Sequence, residues 1–302
     1  MKRRQFLFLG LILAFALASC KGVATLSATP ESVSTPTSRP PAPKPVSPAS
    51  IPQICNCVLR FDHVNIEQGL SQSSVQEILQ DSRGFLWFGT QDGLNRYDGY
   101  NFKIYKPDPD VPNSLSDRWI TSLVEDKDGY VWIGTRLGLN RYDPRTEEFT
   151  HFLHDGKNPV SLTDNYINVL YLDKSGNLWI GTTNGLDMFQ RTTGTFRHYV
   201  YNAPAQQEGI SGKSVTALYE DSRGRFWVGT AAGGLNQLNP ANSTFISYQN
   251  NPDNVHSLSN DHVTAIMEDN KSVLWVGTQD GLNKFQPDAS GFERFSHSDR
   301  DE

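Results

Sequence analysis

The chain has 302 residues, a formal net charge of −6 and no basic cluster after Arg4, so nucleic acid is not an expected partner. Once the N-terminal segments are set aside, about 250 residues remain, enough for one large domain. Of the three cysteines, Cys55 and Cys57 lie beyond the first twenty residues, and no further ligands at metal-site spacing accompany them, so no metal or cofactor is expected.

Residues 1–20 read as an export signal. Lys2, Arg3 and Arg4 form a charged start, and Phe6 to Ala18 form an apolar stretch shorter than the roughly 20 residues a membrane-spanning helix needs. Leu17-Ala18-Ser19-Cys20 resembles a bacterial lipobox, which makes Cys20 the expected lipidation site and the membrane an expected partner. The alternative is an ordinary signal with an incidental cysteine. Residues 21–53 form a Pro/Ser/Thr-rich linker, with eight prolines from Pro30 to Pro52, a composition that stays extended and holds the rest of the chain away from a surface.

From there the chain repeats itself. Trp-[Phe/Ile/Val]-Gly-Thr occurs at Trp87, Trp132, Trp179, Trp227 and Trp275, at intervals of 45, 47, 48 and 48 residues. An Asp stands six residues before each Trp (Asp81, Asp126, Asp173, Asp221, Asp269), and a Gly three before it in four copies, with Ser272 in the fifth. Each copy continues with Gly-Leu, from Gly93-Leu94 to Gly281-Leu282. A fixed period in this range marks a repeat architecture. In the last copy the residues predict strand A at 263–268, strand B at 274–278, strand C at 282–285 and strand D at 292–295. Four short antiparallel strands per repeat describe a β-propeller blade, with blades at about 70–105, 115–152, 162–199, 210–248 and 258–295. The Trp side chains are then expected to fill the wedge between neighbouring sheets, and the Asp-x-x-Gly turns to close each A–B hairpin.

The chain resembles the two-component regulator propeller family through Phe85-Leu-Trp87-Phe-Gly-Thr-Gln-Asp-Gly-Leu-Asn-Arg-Tyr-Asp98 and Val131-Trp132-Ile-Gly-Thr-Arg-Leu-Gly-Leu-Asn-Arg-Tyr-Asp143. The lead-in Phe61 to Ser71 looks like the start of that family's sensory region, and the resemblance covers 59–297. It implies an extracytoplasmic sensor of a hybrid histidine kinase, a ring of about seven blades and a link to polysaccharide use.

The D-type aromatic pair appears in five copies, and Arg60 to Val64 falls where the end of a further D strand would lie. Six D-type strands for five A–B–C sets point to an incomplete ring, with the chain a fragment of a longer sensor. An intact five-bladed protein with a simple lead-in is the alternative. An incomplete ring exposes apolar faces on its end blades, so self-association is expected.

B–C loops and D–A connections share one side of such a fold and differ in every copy, which is where binding residues concentrate. Just before each strand A stand Ser73-Ser74, Arg118-Trp119, Asn165-Tyr166, Lys213-Ser214 and Asp261-His262; Gln91, Asp92, Arg136, Asn184 and Asp280 lie in the B–C loops. Aromatic rings beside hydrogen-bonding groups suit an oligosaccharide, although Trp119 and Tyr166 could equally pack under loops. His151 and His154 are expected on a solvated edge. No catalytic residue is expected: nucleophile-elbow, phosphate-loop and zinc-helix motifs are absent, as are kinase motifs. Two other functions stay open, a scaffold for protein partners and a propeller enzyme resembling streptogramin lyase. The latter would need His and Glu clustered with a divalent metal at the mouth, where only His262 is placed.

Overall fold

A computed structural model describes residues 63–201, 209–287 and 291–296. The signal segment, Cys20, the linker, Cys55, Cys57 and Arg60 to Asp62 lie outside the described residues. A short 3-10 turn at Ile66–Gln68, capped by Asn65, leads into twenty strands.

The strands form five four-stranded antiparallel sheets, each a meander in chain order. Blade 1 comprises β1 (Val75–Gln80), β2 (Leu86–Thr90), β3 (Gly93–Tyr97) and β4 (Phe102–Tyr105). Blade 2 comprises β5 (Ile120–Glu125), β6 (Val131–Thr135), β7 (Gly138–Asp143) and β8 (Glu148–Phe152). Blade 3 holds β9 (Ile167–Leu172), β10 (Leu178–Thr182), β11 (Leu186–Gln190) and β12 (Thr195–Tyr199). Blade 4 holds β13 (Val215–Glu220), β14 (Phe226–Thr230), β15 (Leu235–Asn239) and β16 (Thr244–Tyr248). Blade 5 ends the series with β17 (Val263–Glu268), β18 (Leu274–Thr278), β19 (Gly281–Gln286) and β20 (Gly291–Phe295). The four strands expected in the last repeat are all present, the outer two longer by one or two residues. The extra D-type strand is not seen among the described residues, because His63 and Val64 are not in a strand.

The A–B turns behave as their sequence demands. Asp126 Oδ1 accepts from the backbone N–H groups of Asp128 (2.9 Å) and Tyr130 (3.1 Å), and Gly129 takes φ 80°, a left-handed conformation that costs glycine little. In the fifth copy Ser272 takes this conformation at φ 59°.

The core lies between blades rather than within one. Trp87 and Leu94 of blade 1 pack with Ile120, Ile133 and Tyr142 of blade 2. The same layer recurs between blades 2 and 3 around Trp132 and Ile167, between blades 3 and 4 around Trp179 and Val215, and between blades 4 and 5 around Trp227 and Val263. Close approach needs the Gly of Trp-x-Gly-Thr: a Cβ on Gly134 would sit 2.8 Å from Ile167 Cγ2, and one on Gly181 2.6 Å from Val215 Cγ1.

Five blades make four such layers, leaving two outer faces uncovered among the described residues. Ile78 of blade 1 is 58% exposed, whereas Leu123 at the same strand position in blade 2 is 7% exposed. On blade 5, Leu282 is 42% exposed, against 0% for Leu94, Leu139, Leu186 and Leu235. Met267 and Phe295 are exposed on that blade too.

Candidate functional site

The B–C hairpin of each blade is tied to its surroundings by short backbone bonds. Gly93 N–H donates to Arg118 O (2.7 Å), Gly138 N–H to Asn165 O (2.7 Å) and Gly234 N–H to Asp261 O (2.9 Å), joining each hairpin to the lead-in of the next blade. Thr183, Ala231 and Gln279 donate to the lead-ins of their own blades at Tyr166, Ser214 and His262. Lead-in residues and B–C loops therefore form one continuous surface, the mouth.

A buried polar network holds that surface rigid. Asn95, Asn140, Asn236 and Asn283, all fully buried on the third strand of their blades, accept from the backbone N–H of Ser71, Ser116, Ser211 and Ser259 at 2.8–2.9 Å. Thr90, Thr135, Thr182 and Thr278 donate to the glycine carbonyl three residues on. The repeated Ser-Leu-Ser or Ser-Leu-Thr at 114–116, 161–163 and 257–259 is the sequence trace of this network, and strand periodicity alone does not reveal it.

Blade 3 breaks the pattern with Asp187 in place of Asn. Its side chain is fully buried and accepts from Thr163 N–H (2.9 Å) and Thr163 Oγ1 (3.0 Å). His198 Nδ1 lies 2.6 Å from Asp187 Oδ1, and His198 Nε2 lies 2.9 Å from the Pro159 carbonyl. Both neighbours are acceptors, an arrangement that favours the doubly protonated ring. The bond to Asp187 raises the His198 pKa above its usual range, against an opposing effect of burial.

The expected mouth residues divide into three groups. Arg136, Trp119 and Tyr166 come together: the Arg136 guanidinium lies 3.3 Å from the centroid of the Trp119 ring and 5.5 Å from that of Tyr166. All three are half-buried. The guanidinium covers one face of the Trp119 ring. Arg136 Nε is buried and finds no hydrogen-bond partner among the described residues.

A second group serves the loops. Asn165 Oδ1 accepts from His154 N–H (2.7 Å), Asp261 Oδ1 accepts from Asn250 N–H (2.6 Å), and Asp280 Oδ2 accepts from Asn260 Nδ2 (2.7 Å). The third group stays open to solvent: Arg118, whose side chain is 68% exposed and lies 3.9 Å from Asp92, with Lys213 and Asn184. Asp92 is held more closely by Lys106, at 2.6 Å. His262 is half-buried beside Asp261.

His151 is half-buried and His154 exposed. Each points a ring nitrogen at a D–A loop carbonyl, His151 at Ser114 and His154 at Leu162, both at 2.6 Å. Among the described residues, no group of three or more His, Cys, Asp or Glu side chains is placed to hold a metal ion. A depression of about 330 Å³ lies away from the mouth, on the C–D side of blade 2, bordered by Arg141, Asp143, Glu148 and His151.

A family model described as two component regulator propeller matches residues 69–92, 114–136, 161–184, 209–232 and 257–280, one segment per blade. The chain belongs to the two-component regulator propeller repeat family. Each matched segment of this propeller repeat protein runs from a lead-in through strands A and B to the B–C loop, so the family signature and the mouth overlap. Over 48 residues, 16% of this chain and 4% of the relative, the propeller is 58% identical to histidine kinase P4 of Formosa agariphila. It is similar to the crystal structure of an extracellular domain assigned to a hybrid two component system of B. thetaiotaomicron, with 26% identity and a TM-score of 0.50, covering 79% of this chain and 37% of that one. The chain thus spans well under half the length of either relative. A likeness of fold alone links it to virginiamycin B lyase of Staphylococcus aureus, at 14% identity and a TM-score of 0.57, covering 77% and 73% of the two chains.

Proposed function

We propose that this propeller is an extracytoplasmic, non-catalytic sensory module that binds a small ligand of carbohydrate type at its mouth. The observation that carries the reading is the gathering of Arg136, Trp119 and Tyr166 from two neighbouring blades onto one surface. Aromatic rings beside donors on a rigid scaffold suit a ligand rich in oxygen acceptors. The export signal and the lipobox-like Leu17 to Cys20 support anchoring at a membrane through a lipid on Cys20. The extracellular domain among the similar structures supports the same side of the membrane. Signalling then requires a kinase supplied by a longer parent chain or by a partner.

Among the described residues, the arrangement of side chains lends catalysis no support. The histidines with described partners bond to loop carbonyls or to the buried Asp187, and none pairs with a nucleophile. A second reading, a scaffold for protein partners, draws on the exposed apolar side chains Ile78, Met267 and Leu282 of the end blades.

Calorimetric titration with a panel of neutral and charged oligosaccharides tests the first reading. Saturable binding that Trp119→Ala and Tyr166→Ala abolish supports it. Absence of heat for every member of the panel contradicts it.

A further inference from the structure

The ligand reading can be narrowed by the chemistry of one guanidinium. Among the five B–C loops, the residue after the repeated Thr is Gln91, Arg136, Thr183, Ala231 and Gln279, so blade 2 alone carries an arginine there. Blades 2 and 3 are also the two whose lead-ins end in a large aromatic residue, Trp119 and Tyr166; the others end in Ser74, Ser214 and His262. The arginine and the two rings meet, and the guanidinium lies 3.3 Å from the Trp119 centroid.

That contact has two chemical consequences. It takes one face of Trp119 from use as a sugar platform, because the cation already occupies it. It also holds the guanidinium against the ring, which restricts the side chain before any ligand arrives. No carboxylate lies within ion-pair distance of Arg136 among the described residues, and its buried Nε has no hydrogen-bond partner there. A guanidinium with unmatched donors is best satisfied by an oxyanion that accepts two parallel N–H bonds.

The surroundings carry both signs of charge. Arg118 ends the lead-in before Trp119, and Lys213 stands in the lead-in of blade 4; both are exposed. Carboxylates share these lead-ins: Asp117 directly precedes Arg118, Asp164 accepts from the Tyr166 N–H at 2.9 Å, and Asp92 is engaged by Lys106 at 2.6 Å and lies 3.9 Å from Arg118. Cations and carboxylates thus share the mouth of blades 2 to 4, and the preference for an anion rests on the Arg136 guanidinium, which makes no ion pair among the described residues.

We infer that this mouth selects acidic saccharides, those bearing a carboxylate or a sulfate, with Arg136 as the group that reads the anion. The inference rests on the carbohydrate reading above and adds the charge of the ligand to it. Arg136 sets specificity, and Trp119 positions it.

The test is calorimetric titration of the full chain with three sets of probes: oligogalacturonates, their methyl esters and sulfated galactan oligomers. Neutral galactan oligomers complete the panel. The expected result is binding to oligogalacturonates or sulfated oligomers and at least tenfold weaker binding to the uncharged counterparts. Response to the uronates alone assigns a carboxylate, and response to the sulfated oligomers alone assigns a sulfate. Arg136→Gln should weaken the acidic probe at least tenfold. Arg136→Lys should weaken it less, because it keeps the charge and loses the two-pronged geometry. Trp119→Ala should weaken it while leaving thermal unfolding within a few degrees of the parent. Binding of acidic and esterified probes with equal affinity overturns the inference, as does acidic binding that Arg136→Gln leaves unchanged. Neutral binding without acidic preference leaves the carbohydrate reading standing and removes only the charge. Binding by no member of the panel removes both.

Discussion

Trp132 donates its indole Nε1–H to Asp126 Oδ2 across 2.8 Å, and both residues are buried. The pair recurs in every blade, from Trp87 with Asp81 to Trp275 with Asp269, at 2.9–3.0 Å in the other four. One carboxylate thus closes the A–B turn with its first oxygen and anchors the wedge-filling ring with its second. Asp126→Ala strands the indole donor and two turn amides together, so it should lower unfolding stability by about 2–3 kcal/mol. Asp269→Ala should cost less, because Trp275 stands on the uncovered face of blade 5 and water can reach its indole. Chemical denaturation of the two variants beside the parent checks this order.

Packing between blades predicts a second contrast. A Cβ on Gly134 would press on Ile167 Cγ2 at 2.8 Å and Thr121 Oγ1 at 3.0 Å. Gly134→Ala should therefore destabilise by about 1–3 kcal/mol, as overpacked cores do. Gly277 holds the same place in blade 5, yet a Cβ there meets only Thr264 Oγ1, at 3.1 Å, and Ala265, at 3.6 Å or beyond. Gly277→Ala should stay within about 0.5 kcal/mol of the parent. Equal losses for the two would mean that a further blade covers Gly277 as Ile167 covers Gly134.

The His198–Asp187 pair predicts a pH dependence. The bond to Asp187 raises the folded-state pKa of His198 above its unfolded value of about 6.5. A raised histidine contributes stability that is fully present below about pH 6.5 and is lost as pH rises through the folded pKa. Unfolding stability should fall across that alkaline interval, with loosening of the D–A loop whose Pro159 carbonyl accepts from His198. Asp187→Asn places in blade 3 the residue found in the other four blades and should flatten that part of the profile. Denaturation midpoints from pH 5.5 to 9 read the difference, and a parent profile already flat there would contradict the pairing.

The uncovered faces predict self-association of the chain. Ile78, Met267, Leu282 and Phe295 are more than two-fifths exposed, and side chains at the equivalent positions inside the stack are largely covered by the next blade. Ile78→Asp with Met267→Asp should shift sedimentation toward the monomer without lowering the unfolding midpoint. A parent chain that is monomeric across the concentration range would show that these faces are tolerated as they stand.

Much of this fold is legible because it repeats. Period, Trp register and the Asp-x-x-Gly turn place all four strands of the last blade to within two residues. The mouth is only half legible. An arginine and two aromatic residues stand out at their positions in the repeat, but their meeting depends on the hairpin of blade 2 reaching the lead-in of blade 3 through Gly138 and Asn165. Asn165 and Asp261 look equally available in the sequence, yet loop backbone N–H groups claim both side chains. The same competition between local backbone and solvent hid the role of His151, whose partner carbonyl is 37 residues away.

Recognition at the mouth of blades 2 and 3 is tested most directly by hydrogen exchange on the full chain, with and without the oligosaccharide panel. Exchange should slow at Gly138, at Thr183 and in the lead-ins 118–119 and 165–166, with β4, β8, β12 and β16 unchanged. Protection confined to those outer strands or to the end faces of blades 1 and 5, with the mouth unaltered, would place recognition elsewhere and contradict a ligand site at the mouth.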